Sequence, residues 1–434
     1  MMSSASWPYR IFKAYFKLLN NKLLYRKVYL LGKENIPESG GRLMVVSNHQ
    51  NNANDAIGLI LAFKNKQFPT TFTSGVFLSK VSFLGNFFYS LGMLPAYRAD
   101  YEGLENVEKN EASMEEMKRR LREGHPVIIY PEGTGQFGHY IGRFIPNYLH
   151  LAFQAAEAEG WKYDIKVLPA ANHYSDYFDV QTEFMIRIAP PFSLRPYYKR
   201  YQEKPRTTVR EINEILFQRV REMMLHVDDV GHYEEIDFLR NSAFGDSFAG
   251  GKLPLPERLK KDQRFVELIE NCEERDIYEK VAELKMLEEK YKLKDQWVAE
   301  SASWTRTVLD AVIELLLLPL WLVGLWPFGL FYWLPTLLLS DNLMYTNTYR
   351  VLVNSLLLVP FVIVVTLSVV GGIFGMWWLA VLWILLWVPI GRFEWWMWSR
   401  IKRTRGRIFL LTHANERAKM MAARDNIATY VHFS

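Results

Sequence analysis

Two stretches without a single charged residue, 315–340 and 351–391, do most to constrain what this 434-residue chain can fold into. A helix that crosses a bilayer needs about 20 consecutive apolar residues. The second stretch has room for two crossings, with a turn expected at Gly371-Gly372. The first is interrupted by Pro319, Pro327 and Pro335, and fits one kinked span, two short spans or a re-entrant hairpin. Three or four transmembrane segments are therefore expected over 306–398, followed by a tail at 399–434. Much of the tryptophan falls between 321 and 398, the enrichment expected of helices that meet a membrane interface. Lys402, Arg403, Arg405 and Arg407 follow the last apolar run, and the positive-inside tendency puts them on the cytoplasmic side. An even number of crossings puts the N-terminal domain there too. A coupled transporter usually carries charge inside its spans, and these carry none.

The rest of the chain is of another kind. Trp7 to Tyr29 mixes aromatics with Lys13, Lys17, Lys22, Arg26 and Lys27 and has no clean apolar run, so no cleavable signal peptide is expected. Ile11, Tyr15, Leu18 and Leu19 have helical spacing. That spacing fits an amphipathic helix lying on a membrane over 1–30, and equally a helix packed on the following domain. Over 31–230 short apolar runs at 43–46, 127–130, 165–168 and 184–188 alternate with helical segments near 54–64, 112–123 and 146–159. Such alternation predicts an α/β domain, a central sheet flanked by helices. Thr208 and Glu211 read as a capping box opening the domain's last helix, with Ile212, Ile215, Leu216 and Val220 on its buried face. The stretch 231–255, rich in Gly and Pro, reads as a linker, and 257–299 as a pair of solvated, charged helices; together 231–305 form a linker and helical arm.

Charge and cysteine narrow the classes. A net charge of +5 suits an anionic membrane face but not a nucleic-acid scaffold. The single Cys272 excludes an intramolecular disulfide and a multi-cysteine metal site. His139, His150, His173, His226 and His232 do not fall in a metal-ligand spacing.

Two motifs carry candidate chemistry. His49 follows an apolar strand and Asp55 opens the next helix. An imidazole, with an ordinary pKa of about 6.5, can accept a proton near neutrality. A carboxylate on its other nitrogen fixes the tautomer and stabilises the imidazolium. The second motif, Pro131-Glu132-Gly133-Thr134-Gly135, turns off the strand 127–130. Backbone amides in such a turn can face an anion. Glu132 would repel a phosphate, and suits instead a network that holds a hydroxyl-bearing substrate or stiffens the loop.

Four blocks, in order, resemble the glycerolipid acyltransferase family, which includes lysophosphatidate and glycerol-3-phosphate acyltransferases. They are Asn48-His49…Asp55, Gly92-Met93-Leu94-Pro95-Ala96-Tyr97-Arg98, Pro131-Glu132-Gly133-Thr134 and Val167-Leu168-Pro169-Ala170-Ala171, led in by Gly32-Lys33-Glu34-Asn35-Ile36-Pro37. The resemblance covers about 30 to 230. It implies the fold of that family, with His49 as general base on the acceptor hydroxyl and Asp55 as its orienting partner. It also implies that Arg98 pairs with the acceptor phosphate and that Glu132, Gly133 and Thr134 line the acceptor site. The attacking hydroxyl belongs to the substrate, so no metal, cofactor or covalent acyl-enzyme is required. Two departures stand out. Five residues separate His49 from Asp55 where four are common, so Asn54 takes the usual Asp position, as in a branch with fungal-type glycerol-3-phosphate/dihydroxyacetone-phosphate acyltransferases. Gly135-Gln136 also replaces the usual Arg-Ser, and Lys80 is a candidate for the missing cation.

The expected activity is transfer of a fatty acyl group from a thioester, acyl carrier protein or coenzyme A, to 1-acyl-sn-glycerol-3-phosphate, giving phosphatidate. Glycerol-3-phosphate as acceptor stays close behind, with acyl transfer to an aminolipid more distant. A membrane-anchored lipid-binding scaffold is the non-enzymatic alternative. The run Lys118-Arg119-Arg120-Arg122 is a solvated face or a contact for acidic acyl carrier protein or anionic lipid.

Overall fold

The computed structural model describes residues 7–38, 41–74, 88–89, 91–97, 108–133, 135, 137–300, 302–337 and 346–431. Arg98, Thr134 and Lys80 lie outside them. The chain divides into two compact units, one drawn from Met1–Asn21, Lys27–Tyr177 and Glu183–Met224, the other from Lys22–Arg26, Phe178–Thr182 and Leu225–Ser434.

The first unit is built on a mixed sheet of β1 (Tyr25–Leu31), β2 (Leu43–Ser47), β5 (Val127–Ile129), β6 (Lys166–Tyr174), β7 (Thr182–Ile188) and β8 (Phe192–Ser193). Its order is β1-β7-β6-β2-β5, with β8 beside β6. β2 is parallel to both β5 and β6, and its five residues are all buried. Its near-continuous apolar run is what a parallel strand covered on both faces requires. β3 (Thr71–Ser74) and β4 (Met93–Ala96) form a separate parallel pair. Helices α2 (Ala53–Ala62), α3 (Asn110–Arg122), α4 (Asn147–Glu157) and α5 (Pro205–Arg221) supply the flanking layers. One core joins Leu121, Leu149, Phe153, Ile212 and Leu216 to Met44, Val127 and Val167. Gly58 allows α2 to lie against β7, because a Cβ there would meet the Phe184 ring at 2.6 Å.

Helix α1 (Trp7–Leu18) shows both faces that its spacing allowed. Tyr9 and Phe16 are buried, Tyr9 packs edge-on to Phe68 at 4.8 Å, and Lys13 Nζ donates to the Phe63 carbonyl at 2.5 Å. Trp7, Ile11 and Leu18 on the other side are exposed. The helical region expected to run to Tyr29 stops at Leu24, and Tyr25–Leu31 is an edge strand instead. The capping box expected at Thr208 does not form. α5 starts at Pro205, whose ring is preset for a first helical turn; Thr208 lies inside the helix and donates back to the Lys204 carbonyl at 2.9 Å. The expected buried face holds at Ile212, Leu216 and Val220.

The second unit is helical. The stretch expected as a linker over 231–255 folds into α6 (Tyr233–Asn241) and α7 (Ala243–Ala249). Its glycines are structural: a Cβ on Gly245 would collide with the Arg240 carbonyl, and Gly250 ends α7 in the left-handed region. The expected solvated arm is α8 (Leu255–Glu270) and α9 (Ile277–Tyr291), and both bury an apolar face. Arg240 and Asp262 form a buried ion pair at 3.0 Å.

After α10 (Asp295–Ala299), α11 (Trp304–Tyr332) and α12 (Thr346–Ile373) are long and apolar enough to cross a membrane. The prolines of the first stretch yield one helix broken at Trp326, and the expected turn after Gly371-Gly372 falls where α12 ends. α13 (Trp377–Leu385) and α14 (Trp387–Thr412) meet at a bend of 60° and make a third candidate if taken as one span. The expected tail continues α14 and then forms α15 (Ala414–Ala428), which buries Met420, Ala423 and Ile427. Arg407 of the basic tail is only 2% exposed and pairs with Asp310 at 2.6 Å and Glu300 at 2.7 Å.

Candidate active site

The site forms where β2 and β5 end side by side. Parallel pairing sets Val46 opposite Ile129, so the turns after the two strands emerge at the same edge of the sheet. This is where open α/β sheets present ligand-binding loops. Asn48 fixes the first turn. Its Nδ2 donates to the Asn172 carbonyl of β6 and its Oδ1 accepts from the Asn172 N–H, each at 2.8 Å.

His49 and Asp55 meet despite the long spacing. The turn between them holds Asn52 at φ 43° and ψ −119°, a positive-φ conformation outside the left-handed helical basin. It brings Asp55 Oδ2 to 3.0 Å from His49 Nδ1. Asn54, at the usual Asp position, faces elsewhere and donates to Asn51 Oδ1 at 3.2 Å. Asp55 is fully buried and well supplied with donors. Oδ2 also accepts the N–H groups of Gln50 at 2.8 Å and Asn51 at 2.7 Å, while Tyr174 Oη donates to Oδ1 at 2.7 Å. With Nδ1 so engaged, the imidazole offers Nε2, and the His49 side chain is 21% exposed.

Glu132 bridges neighbouring loops. Its Oε1 accepts the His49 N–H and its Oε2 the Gly142 N–H, both at 2.7 Å, and the side chain is buried. Both oxygens thus tie three loops together. Burial pushes its carboxyl up to about 8, against the two amide hydrogen bonds that lower it and with Asp55 adding to the rise. Gly133 closes the turn at φ 71° by donating to the Tyr130 carbonyl at 3.2 Å, a conformation that favours glycine.

The resemblance blocks all begin within one stretch. Residues 27–173 match the family model described as Acyltransferase. That stretch is similar to the glycerolipid acyltransferases. A probable 1-acyl-sn-glycerol-3-phosphate acyltransferase of Mycoplasma pneumoniae is 27% identical over 146 residues, which is 33% of this chain. The match spans about half of that relative, 52% of its length. The crystal structure of the 1-acyl-sn-glycerophosphate acyltransferase PlsC from Thermotoga maritima aligns with 50% of this chain and 79% of its own, at 21% identity and a TM-score of 0.34.

Two aromatic side chains support the pair of His49 and Asp55. Tyr130 stacks on the His49 ring, centroids 4.2 Å apart and planes 20° from parallel. Burial, with Asp55 adding, holds its phenol well above the ordinary range, so the stacked ring stays neutral. Tyr174 reaches Asp55 from β6, 119 residues further along the chain. Both had a sequence signal: Tyr130 directly precedes the Pro-Glu-Gly-Thr turn, and Tyr174 ends the Asn172-His173-Tyr174 segment that follows the fourth block. The α3 basic run is a paired face: Arg119 bridges Glu116 and Glu123, Arg120 bonds Glu116 and Thr70, and Lys118 pairs with Glu115. His139 and His173 are buried; His139 lies 3.0 Å from Tyr177 Oη, which donates to Gln50.

Proposed function

We propose that this chain is a membrane-bound O-acyltransferase that acylates the free hydroxyl of 1-acyl-sn-glycerol-3-phosphate from an acyl thioester. The contact between His49 Nδ1 and Asp55 Oδ2 carries the reading, because it leaves Nε2 as the base on the open side of the ring. Nε2 takes the hydroxyl proton as the oxygen attacks the thioester carbonyl carbon. The C–S bond then breaks, and the imidazolium returns the proton to the leaving thiolate. Asp55 stabilises the imidazolium in between. Arg98 pairs with the acceptor phosphate in this reading, a geometry that suits guanidinium, and Gly133 and Thr134 border the acceptor.

Two apolar helices support a bilayer setting, where both acceptor and product reside. The exposed Trp7, Ile11 and Leu18 of α1 then lie on the membrane surface, and the catalytic domain faces the cytoplasm. The test is transfer of labelled acyl groups by the full-length protein in mixed micelles, with lysophosphatidate and glycerol-3-phosphate offered in parallel. Transfer to lysophosphatidate that falls by about 10²–10⁴ in His49→Ala is expected. Acylation of glycerol-3-phosphate alone would refute the acceptor, and turnover unchanged in His49→Ala would refute the base.

A further inference from the structure

A concave groove of about 1100 Å³ lies beside the catalytic turn, between the loop at 143–146, α4 and the first half of α5. Its rim carries Arg143, Arg206 and Arg210, all exposed and without an ion pair among the described residues, with His150 between them. Of its acidic residues, Glu211 pairs with Arg200, while Glu214 accepts from the neutral Gln218 at 2.8 Å and offsets one of the arginines. The groove therefore presents unspent positive charge. Phe217, partly exposed and edge to face with the buried Phe144 ring at 5.3 Å, adds an aromatic surface on which a flat base can rest. Arg143 directly follows Gly142, whose N–H is held by the same carboxylate that holds the His49 N–H. The groove and the base are thus fixed to one another through Glu132.

We propose that this groove binds the phosphorylated adenosine end of a coenzyme A thioester, with the arginines on its phosphates and the pantetheine arm running toward His49. The proposal rests on the acyl-transfer reading above and names its donor. Guanidinium groups match phosphate oxygens in charge and geometry, and the volume suffices for a nucleotide. An acidic carrier protein would call for a broad, solvent-facing basic surface. The helix face that offers one, on α3, is neutralised by its own carboxylates.

The experiment uses full-length protein in detergent micelles, as wild type, the double variant Arg206→Ala/Arg210→Ala, and Lys118→Ala on α3 as a charge control. Calorimetry with adenosine 3′,5′-bisphosphate measures the site directly. Transfer is then compared for acyl-coenzyme A, acyl-pantetheine (which lacks the nucleotide) and acyl carrier protein. The bisphosphate is expected to bind wild type and Lys118→Ala alike, and at least about tenfold more weakly to the double variant. The KM for acyl-coenzyme A is expected to rise by a similar factor, with the effect confined to that donor. No saturable binding of the bisphosphate would overturn the proposal, as would an equal loss with acyl-pantetheine or activity with the carrier protein alone. Arginine-dependent bisphosphate binding without transfer from any donor would uphold the groove and sink the acyl-transfer reading instead.

Discussion

Replacing Asp55 by Asn separates the charge of the partner from its geometry. Asp55 accepts three hydrogen bonds on Oδ2 and one on Oδ1. An amide can keep all four contacts if its oxygen takes the Oδ2 position and its NH₂ donates to Tyr174 Oη, since a hydroxyl both gives and accepts. Fold and imidazole tautomer are then preserved, and only the negative charge beside the forming imidazolium is lost. Two unit charges about 4 Å apart at an effective dielectric near 20 attract by about 4 kcal/mol. At 1.36 kcal/mol per decade this corresponds to a fall in kcat of about 10³. The assay is single-turnover acyl transfer, with thermal unfolding in the same detergent to confirm the fold. Asn54 supplies an internal control: it bonds Asn51 and points away from His49, so Asn54→Asp/Asp55→Asn is expected to recover nothing. Asp55→Asn activity within about threefold of wild type would refute the pairing, and rescue by the double exchange would restore the shorter spacing as the working one.

Other outcomes follow from the same contacts. Glu132 has a carboxyl raised from 4.5 to about 8, so its folded form holds a proton that the unfolded chain releases. Its contribution is present below pH 4.5 and is lost as pH rises through about 8, a slope of up to about 1.4 kcal/mol per pH unit. Unfolding temperatures measured between those limits should show that slope flattened in Glu132→Gln. Gly58→Ala drives a methyl into Phe184, which stacks at 4.4 Å on Tyr174, the donor to Asp55. The overpacking costs about 1–3 kcal/mol, outweighing the roughly 1 kcal/mol gained in helix propensity, so lower stability together with a lower kcat is expected. Arg407→Ala leaves Asp310 and Glu300 without their shared cation. Arg400 still pairs with Asp310 at 2.6 Å and Glu300 is 37% exposed, so a loss of about 1–2 kcal/mol, below that of a fully buried pair, is expected in limited proteolysis of the helical unit.

Periodic features were legible in the sequence. The strands at 43–46 and 127–130, the helices around 54–64 and 112–123, and the two long apolar helices all announce themselves by uniform or period-matched burial, which a short window captures. Errors arose where glycine or charge stood in for a packing relationship. Gly245 and Gly250 looked like linker residues, yet one admits a close carbonyl and the other caps a helix. The ion pairs of Arg407 were not legible because its acidic partners lie about a hundred residues earlier.

The sequence by itself determined the chemistry that is possible here: an imidazole and a carboxylate at the end of one strand, a Glu-Gly turn at the end of another, and apolar segments long enough for a bilayer. Those are properties of composition and local order. Tertiary structure decided which groups act together. Parallel pairing of β2 with β5 brought His49 to Glu132, and the turn at Asn52 selected Asp55 over Asn54. β6 supplied Tyr174, and the Gly142 N–H met the second carboxylate oxygen of Glu132. Each outcome depends on a distance between residues remote along the chain, and only the folded backbone sets such distances.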